Sequence, residues 1–216
     1  DSYFEKSRPN NISYPKRDLK YVNIRSFANL SYPMFTAYGS KAANLAELKK
    51  ILPSVTPDGY AVPFYFYHEF MLHNGFYSEA TQMINDELFQ KFPSVREKRL
   101  KEFRKRIKDT GILPGWMLEK LRAMQDSFKN GITLRARSST NNEDLQGFNG
   151  AGLYESYSHY PDEGHFSKTA KQVWAGLWTY RAFEEREFWK IDHLTASMGI
   201  LVHPNYKDEL ANGVGV

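Results

Sequence analysis

Arg135 and Arg137 flank Ala136 in the run Leu134-Arg135-Ala136-Arg137-Ser138. In an extended chain successive side chains point to opposite faces, so the two guanidiniums share one face while Leu134 and Ala136 take the other. Two neighbouring cations repel unless an anion lies between them, and the guanidinium fork matches phosphate oxygens. Ser138, Ser139, Thr140, Asn141 and Asn142 follow directly, and Gly147, Gly150 and Gly152 punctuate the segment beyond. Small hydroxylated residues and glycines let backbone N–H groups come close to an anion. A long loop without its own secondary structure is more often functional than idle. The residues alone leave two readings: a phosphate cradle from Ser138 to Gly152, or a solvated loop whose arginines pair with Glu143 and Asp144. The spacing is neither a Walker loop nor a Rossmann fingerprint.

A second cation with chemical potential is Lys41, in Gly39-Ser40-Lys41-Ala42-Ala43-Asn44-Leu45. It falls in the first turn of a helix expected to about Leu52, where the helix dipole disfavours a cation by about 0.3–1 kcal/mol. A phosphate at that end reverses the sign, because free N–H groups and the lysine then act together. The alternative is an exposed lysine reaching into solvent.

Elements must position these groups. The apolar spacing of Leu45, Leu48 and Leu52 predicts one packed helix, and Leu100, Phe103 and Ile107 another from Ser94 to Lys108. Pro63 and Pro114 are good helix openers for helices to Leu72 and about Phe128. Ser78 to Phe89 and Ser167 to about Lys190 read as further helices. Tyr21 to Phe27, Tyr60 to Val62, Ile132 to Arg137, Leu153 to Tyr157 and Met198 to Val202 read as strands. Residues 1–20, polar with Pro9 and Pro15, read as a linker or leader. The expected fold is α+β, a mixed sheet with several packed helices.

Composition sets the outer limits. With 41% hydrophobic and 25% charged residues the 216-residue chain is globular, and without cysteine it has neither disulfides nor thiolate metal sites. No apolar run approaches a membrane span. The start lacks a signal peptide's basic and apolar regions, so the cytoplasm is expected and the Asn11 and Asn29 glycosylation triplets carry little weight. A net charge of +4 suits an anionic ligand without requiring nucleic acid. The basic stretch Arg96 to Lys108 contains i,i+4 pairs of Glu97 with Lys101 and Glu102 with Arg106, which favours a solvated helix face over an RNA-binding one. No histidine pair has metal-ligand spacing.

Taken together and in order, the motifs resemble the nucleotide-binding domain of the phosphoenolpyruvate synthase and pyruvate, phosphate dikinase family. Gly39 to Leu48 is similar to its Gly-Gly-Lys-x-Ala-Asn-Leu segment, and Pro57 to Val62 to its Pro-Pro-Gly-Phe turn and strand. Ala136-Arg137-Ser138-Ser139 with Asn142-Glu143-Asp144-Leu145 resembles its Val-Arg-Ser-Ser…Ala-Glu-Asp-Leu signature. Gly150 to Glu155 resembles the close of that loop. Tyr180-Arg181-Ala182 looks like its Arg-Ala helix, and Met198 to Val202 with Asn212-Gly213-Val214 like its last strands. The likeness covers roughly residues 21–216.

The resemblance implies an ATP-grasp-like domain, incomplete at its C-terminal end. Lys41 and Arg137 would contact ATP phosphates, with Ser138, Ser139, Gly150 and Gly152 in the covering loop and Arg137 in the catalytic role. Phosphoryl would pass from ATP to a histidine on another domain of the parent chain and then to an acceptor domain's substrate, so this piece would be inactive alone. Mg2+ would accompany ATP, with its carboxylates expected beyond Val216; Glu143 and Asp144 would cap or order the loop. Three departures bear on nucleotide preference and activity: Ser40 for glycine, a basic Arg135, and His203 for glutamine near the expected adenine side. Rival readings are a non-catalytic nucleotide-sensing or interaction module of the same fold and a basic RNA-binding domain. The acceptor and the oligomeric state stay open.

Overall fold

The computed structural model describes residues 8–206 except 144, 146, 147, 149 and 151. In chain order the first elements are β1 (Arg25–Ser26), α1 (Phe35–Tyr38), α2 (Ser40–Ile51) and β2 (Tyr60–Val62). A helical block follows: α3 (Phe64–His73), α4 (Phe76–Ile84), α5 (Glu87–Lys91), α6 (Pro93–Asp109) and α7 (Gly115–Asp126). Then come β3 (Leu134–Thr140), β4 (Tyr157–His159), α8 (Ser167–Ala175), α9 (Tyr180–Phe188) and β5 (Met198–Pro204).

The fold is α+β, but the sheet is not mixed. Its order is β1-β2-β5-β3-β4 and each of its four pairings is antiparallel. The block α3 to α7 does carry the chain from β2 back to β3 in the same direction, as a crossover should. The later strand β5 then enters reversed between them, so no parallel neighbours form. That central position explains the apolar run of β5: Met198 to Val202 are buried on both faces.

The two faces of the sheet are unequal. One supports the main core, where Val62, Ala136, Ile200 and Val202 meet the helical block and the rings of Trp174 and Trp178. The other is covered at one end only, by a small cluster of Phe27, Leu30, Ala37, Tyr38, Ala42, Ala46, Ala61 and Leu201. α2 can lie close to the sheet because its buried positions are alanines: Ala42, Ala43 and Ala46. Burial at about 25 cal/mol per Å² gives such small side chains little each, so close backbone approach rather than bulk secures this helix.

Local departures from the periodicity have local causes. The helix expected from Ser167 to Lys190 breaks at Gly176 into a 3-10 turn, and the Thr179 hydroxyl caps α9 by accepting from the Ala182 N–H at 3.2 Å. Trp189 therefore lies just past α9 rather than on a continuous helix. The helix expected from Ser78 to Phe89 divides at Asp86, whose carboxylate accepts from the Phe89 N–H at 2.9 Å. Residues 8–20, expected as a linker or leader, run across the domain. Ser13 bridges to Ile191, the Asp18 N–H donates to the Thr36 carbonyl at 2.7 Å, and Arg17 donates to the Leu194 carbonyl at 3.1 Å.

Candidate functional site

β3 sorts its side chains as alternation requires. Leu134, Ala136, Ser138 and Thr140 are buried on the main-core face. Arg135, Arg137 and Ser139 face the other way, toward the half-covered side. Ser138 is thus not beside Arg137 in space, and its hydroxyl is buried on the face opposite the guanidiniums.

Ser139 shares the arginine face, but its hydroxyl is engaged. Its Oγ accepts from the Ala42 N–H at 3.1 Å and so caps the first turn of α2 from a distant part of the chain. Gly39, with φ of 85°, makes this docking possible: a Cβ there would lie 2.3 Å from the Ser139 Oγ. Gly199, opposite Ser139 in the register, leaves comparable room for the Tyr38 carbonyl. Gly39, Gly199 and Ser139 thus fix the Lys41 helix to β3.

Lys41 does not reach freely into solvent. Its Nζ lies 2.8 Å from Glu143 Oε2, and the Glu143 side chain is only 6% exposed. The carboxylate thus compensates a cation at a helix N-terminus and ties the loop after β3 to α2. The arginines do not pair with Glu143 in the way the solvated-loop reading required. Asp144 and Gly147 lie outside the described residues.

The described loop residues are anchored rather than loose. The Gly150 N–H donates to the Glu143 carbonyl at 3.3 Å, and a Cβ on Gly150 would press within 3.0 Å of the Glu143 Cα. Gly152 has a φ of 72° with open space around it, so its requirement is conformational. Phe148, Leu153 and Tyr154 are buried. The amide of Asn142 and the Tyr154 hydroxyl exchange hydrogen bonds at 2.9 and 3.2 Å.

Behind the loop lies a network that the sequence reading missed. Arg186 is fully buried on α9. Its Nε donates to His193 Nδ1 at 3.0 Å, its Nη1 to the Tyr154 hydroxyl at 3.4 Å, and its guanidinium lies over the Trp178 ring. His193 stacks on Phe183 at 3.9 Å and its Nε2 meets Glu187 Oε1 at 2.8 Å. Burial pushes the His193 pKa down to about 4, against the pull of Glu187 and with the help of Arg186. His193 is therefore neutral near pH 7; because Nδ1 accepts from Arg186, Nε2 carries the proton and donates to Glu187. The i,i+3 and i,i+4 placement of Arg186 behind Ala182 and Phe183 was the available signal.

The open end of the arginine face is different. Arg135, Arg137, Ser156, Ser158, His203, Asn205 and Tyr206 line a cavity of about 380 Å³. The register sets Ser158, Arg135 and His203 in one row across β4, β3 and β5, with Arg137 in the next row opposite Leu201. Arg135 Nη1 donates to the Ser158 Oγ at 3.0 Å. His203 Nδ1 lies 2.8 Å from the Pro204 carbonyl, and a carbonyl only accepts, so Nδ1 carries a proton. Burial lowers the His203 pKa, partly offset by that hydrogen bond, and Arg137 and Arg135 lower it further. Among the described residues no carboxylate pairs with Arg135 or Arg137. Among the described residues, no carboxylate would have to be displaced for an anion to enter this cleft.

The described residues gather no three His, Cys, Asp or Glu side chains that could hold a metal ion. The basic helix α6 is braced by acids on other elements: Arg96 pairs with Glu184 at 2.6 Å, Arg99 with Asp86 at 3.2 Å, and Arg106 with Glu79, where an i,i+4 pair with Glu102 was expected. No helix among the described residues is long and apolar enough to cross a membrane.

The profile described as pyruvate phosphate dikinase, AMP/ATP-binding domain matches residues 36–216. Among curated proteins, a phosphoenolpyruvate synthase of Aeropyrum pernix is 29% identical over 181 residues. That match takes in 80% of this chain but spans only 22% of the relative's length.

Proposed function

The chain belongs to the family of the pyruvate phosphate dikinase AMP/ATP-binding domain, and from that premise we propose that it is the ATP-binding portion of a phosphoenolpyruvate synthase-like dikinase of ATP-grasp-like fold. A phosphoryl group passes from ATP to a histidine on another domain of the parent protein, and from there to an acceptor. The parent is a phosphotransferase; this piece binds nucleotide and does not turn over alone. The cytoplasm is its proposed location.

The observation that carries this reading is the cleft of Arg135 and Arg137, cationic and without a paired carboxylate among the described residues. Phosphoryl transfer needs mainly positioning and charge stabilisation. Arg137, exposed on β3, is the candidate catalytic residue, its fork set against a phosphoryl oxygen. Lys41 joins by exchanging Glu143 for phosphate, one anionic partner for another. Ser139 and Gly39 serve by fixing α2 to β3, Gly150 and Gly152 by shaping the loop, and Ser138 by packing behind the strand. Mg2+ is proposed to accompany ATP, with ligands from outside the described residues, which gather no cluster of three acids or histidines for it.

Titration calorimetry of the full chain with ATP tests the proposal. Arg137→Ala should weaken binding about tenfold or more, the worth of a charge-assisted hydrogen bond. Equal affinity would remove Arg137 from the site. The engaged state of Lys41 favours one second reading, a nucleotide-sensing module in which binding breaks the Lys41–Glu143 pair without chemistry. ATP binding by a full-length parent that never forms a phosphohistidine would select it.

A further inference from the structure

Two guanidiniums in one cleft suggest more anion than a single phosphoryl group. Arg135 and Arg137 are two residues apart on β3, so their Cα atoms lie about 6.6 Å apart at the usual strand rise. They stand in successive rows of the sheet. Ser158 Oγ accepts from Arg135 Nη1 at 3.0 Å and holds that fork toward β4. Arg135 lines the cavity together with His203, Asn205 and Tyr206 and has further N–H donors beyond the one given to Ser158. The row therefore offers its own donors instead of adding a second grip to Arg137.

We propose that Arg135, oriented by Ser158 and flanked by His203, forms a second phosphoryl subsite next to Arg137, so that this face takes an oligophosphate of two or more linked phosphoryl groups. The inference rests on the proposed phosphate role of Arg137 and extends it to Arg135 and His203, two positions where this chain departs from the family pattern.

Charge favours an anion over a base in this row. A nucleobase brings no negative charge and would leave both arginines uncompensated, whereas a linked phosphoryl chain has oxygens for each fork. His203 supports the same assignment. Its Nδ1 proton is committed to the Pro204 carbonyl, so Nε2 is the atom that can gain a proton. Arg135 and Arg137 oppose that protonation from β3. Among the described residues the cavity's other linings, Ser156 and Ser158 from the β4 side and Asn205 and Tyr206 after β5, bring no acid, so beside them a bound anion is what would favour a charged imidazole. The cavity, at about 380 Å³, is roomy enough for a short phosphoryl chain.

The test uses the full chain, with inorganic phosphate, pyrophosphate, tripolyphosphate and adenosine as probes in calorimetric titration. Arg135→Ala should weaken pyrophosphate and tripolyphosphate about tenfold or more while changing orthophosphate less than threefold. Arg137→Ala should weaken all three phosphates. Ser158→Ala should reproduce a part of the Arg135→Ala loss, because it frees the fork without removing it. An Arg135→Ala chain that binds tripolyphosphate like the wild type overturns the subsite. So does a loss confined to adenosine, which would make this row a base reader. If Arg135→Ala is silent but Arg137→Ala still weakens ATP, the subsite fails and the nucleotide reading survives; if both are silent, both fail. Near-wild-type thermal melting of each variant excludes misfolding as the cause.

Discussion

Positive charge is handled in two opposite ways at the two ends of the β3 region. At the loop end, Lys41 is paired with the buried Glu143, and Arg186 is enclosed with His193, Tyr154 and the Trp178 face. At the open end, Arg135 meets only a serine hydroxyl among the described residues, and Arg137 stands exposed in the same cavity. Enclosed, hydrogen-bonded cations hold a structure together, because losing a partner leaves buried polar groups unpaired in a low dielectric. Open, unmatched cations add little to stability and are available to a ligand. On the proposed reading, the first region serves architecture and the second serves binding.

The contrast breaks first, and most strongly, at Arg186. Arg186→Met removes the centre of the buried network, leaves His193 Nδ1 and the Tyr154 hydroxyl without this donor, and should cost about 2–3 kcal/mol, with the loop after β3 losing its hold through Tyr154 and Asn142. Denaturant unfolding measures it, and a loss under about 1 kcal/mol would place Arg186 outside the architecture.

Acid should act on the same network. The His193 pKa falls on folding, to about 4, so the unfolded chain binds the extra proton between that value and the usual histidine range. Stability is therefore full above about pH 6.5 and is lost as pH falls toward 4, by at most about 1.4 kcal/mol per pH unit for one proton. Glu187, whose pKa is lowered chiefly by its hydrogen bond to His193, adds a loss of the same sign at lower pH. His193→Gln should flatten the melting temperature profile between pH 6.5 and 4.5; an unchanged profile would mean that another group titrates there.

A smaller effect should come from the Lys41 latch. Glu143→Gln keeps the shape but removes the charge, so it should cost about 1 kcal/mol of stability while tightening ATP severalfold by freeing Lys41. Weaker ATP binding in this variant would make Glu143 part of the ligand site instead of a competitor for Lys41. The smallest change is expected on α6, where Lys101→Glu with Lys105→Glu alters an exposed, solvated face. Stability should stay within about 0.5 kcal/mol and ATP affinity should not change. A large fall in RNA binding from a salt-sensitive complex would instead revive the nucleic-acid reading.

Some of this was legible in the sequence because it is local. Period two in Leu134 to Arg137 placed both guanidiniums on one face, and the glycine before Lys41 marked the start of a helix. What was not legible depends on partners far along the chain. The Ser139 hydroxyl accepts from the Ala42 N–H on α2, a contact across 97 positions that no local pattern announces. Ser138 looked like its neighbour's equal, although alternation alone places it on the core face. The antiparallel sheet could not be read because the strand inserted between β2 and β3 is the last one described. Arg186 escaped because its spacing from Ala182 and Phe183 marks a buried face but not what an arginine would meet there; its enclosure by Tyr154, Trp178 and His193 comes from distant or later parts of the chain.

Hydrogen–deuterium exchange of the full chain with and without ATP tests the central claim most directly, since it locates the ligand without removing any residue. The account predicts slowed exchange along β3 and β5 around Arg135, Arg137 and His203 and at the first turn of α2, with α6 unchanged. Protection on α6 alone, or no protection on the arginine face at saturating ATP, would contradict it.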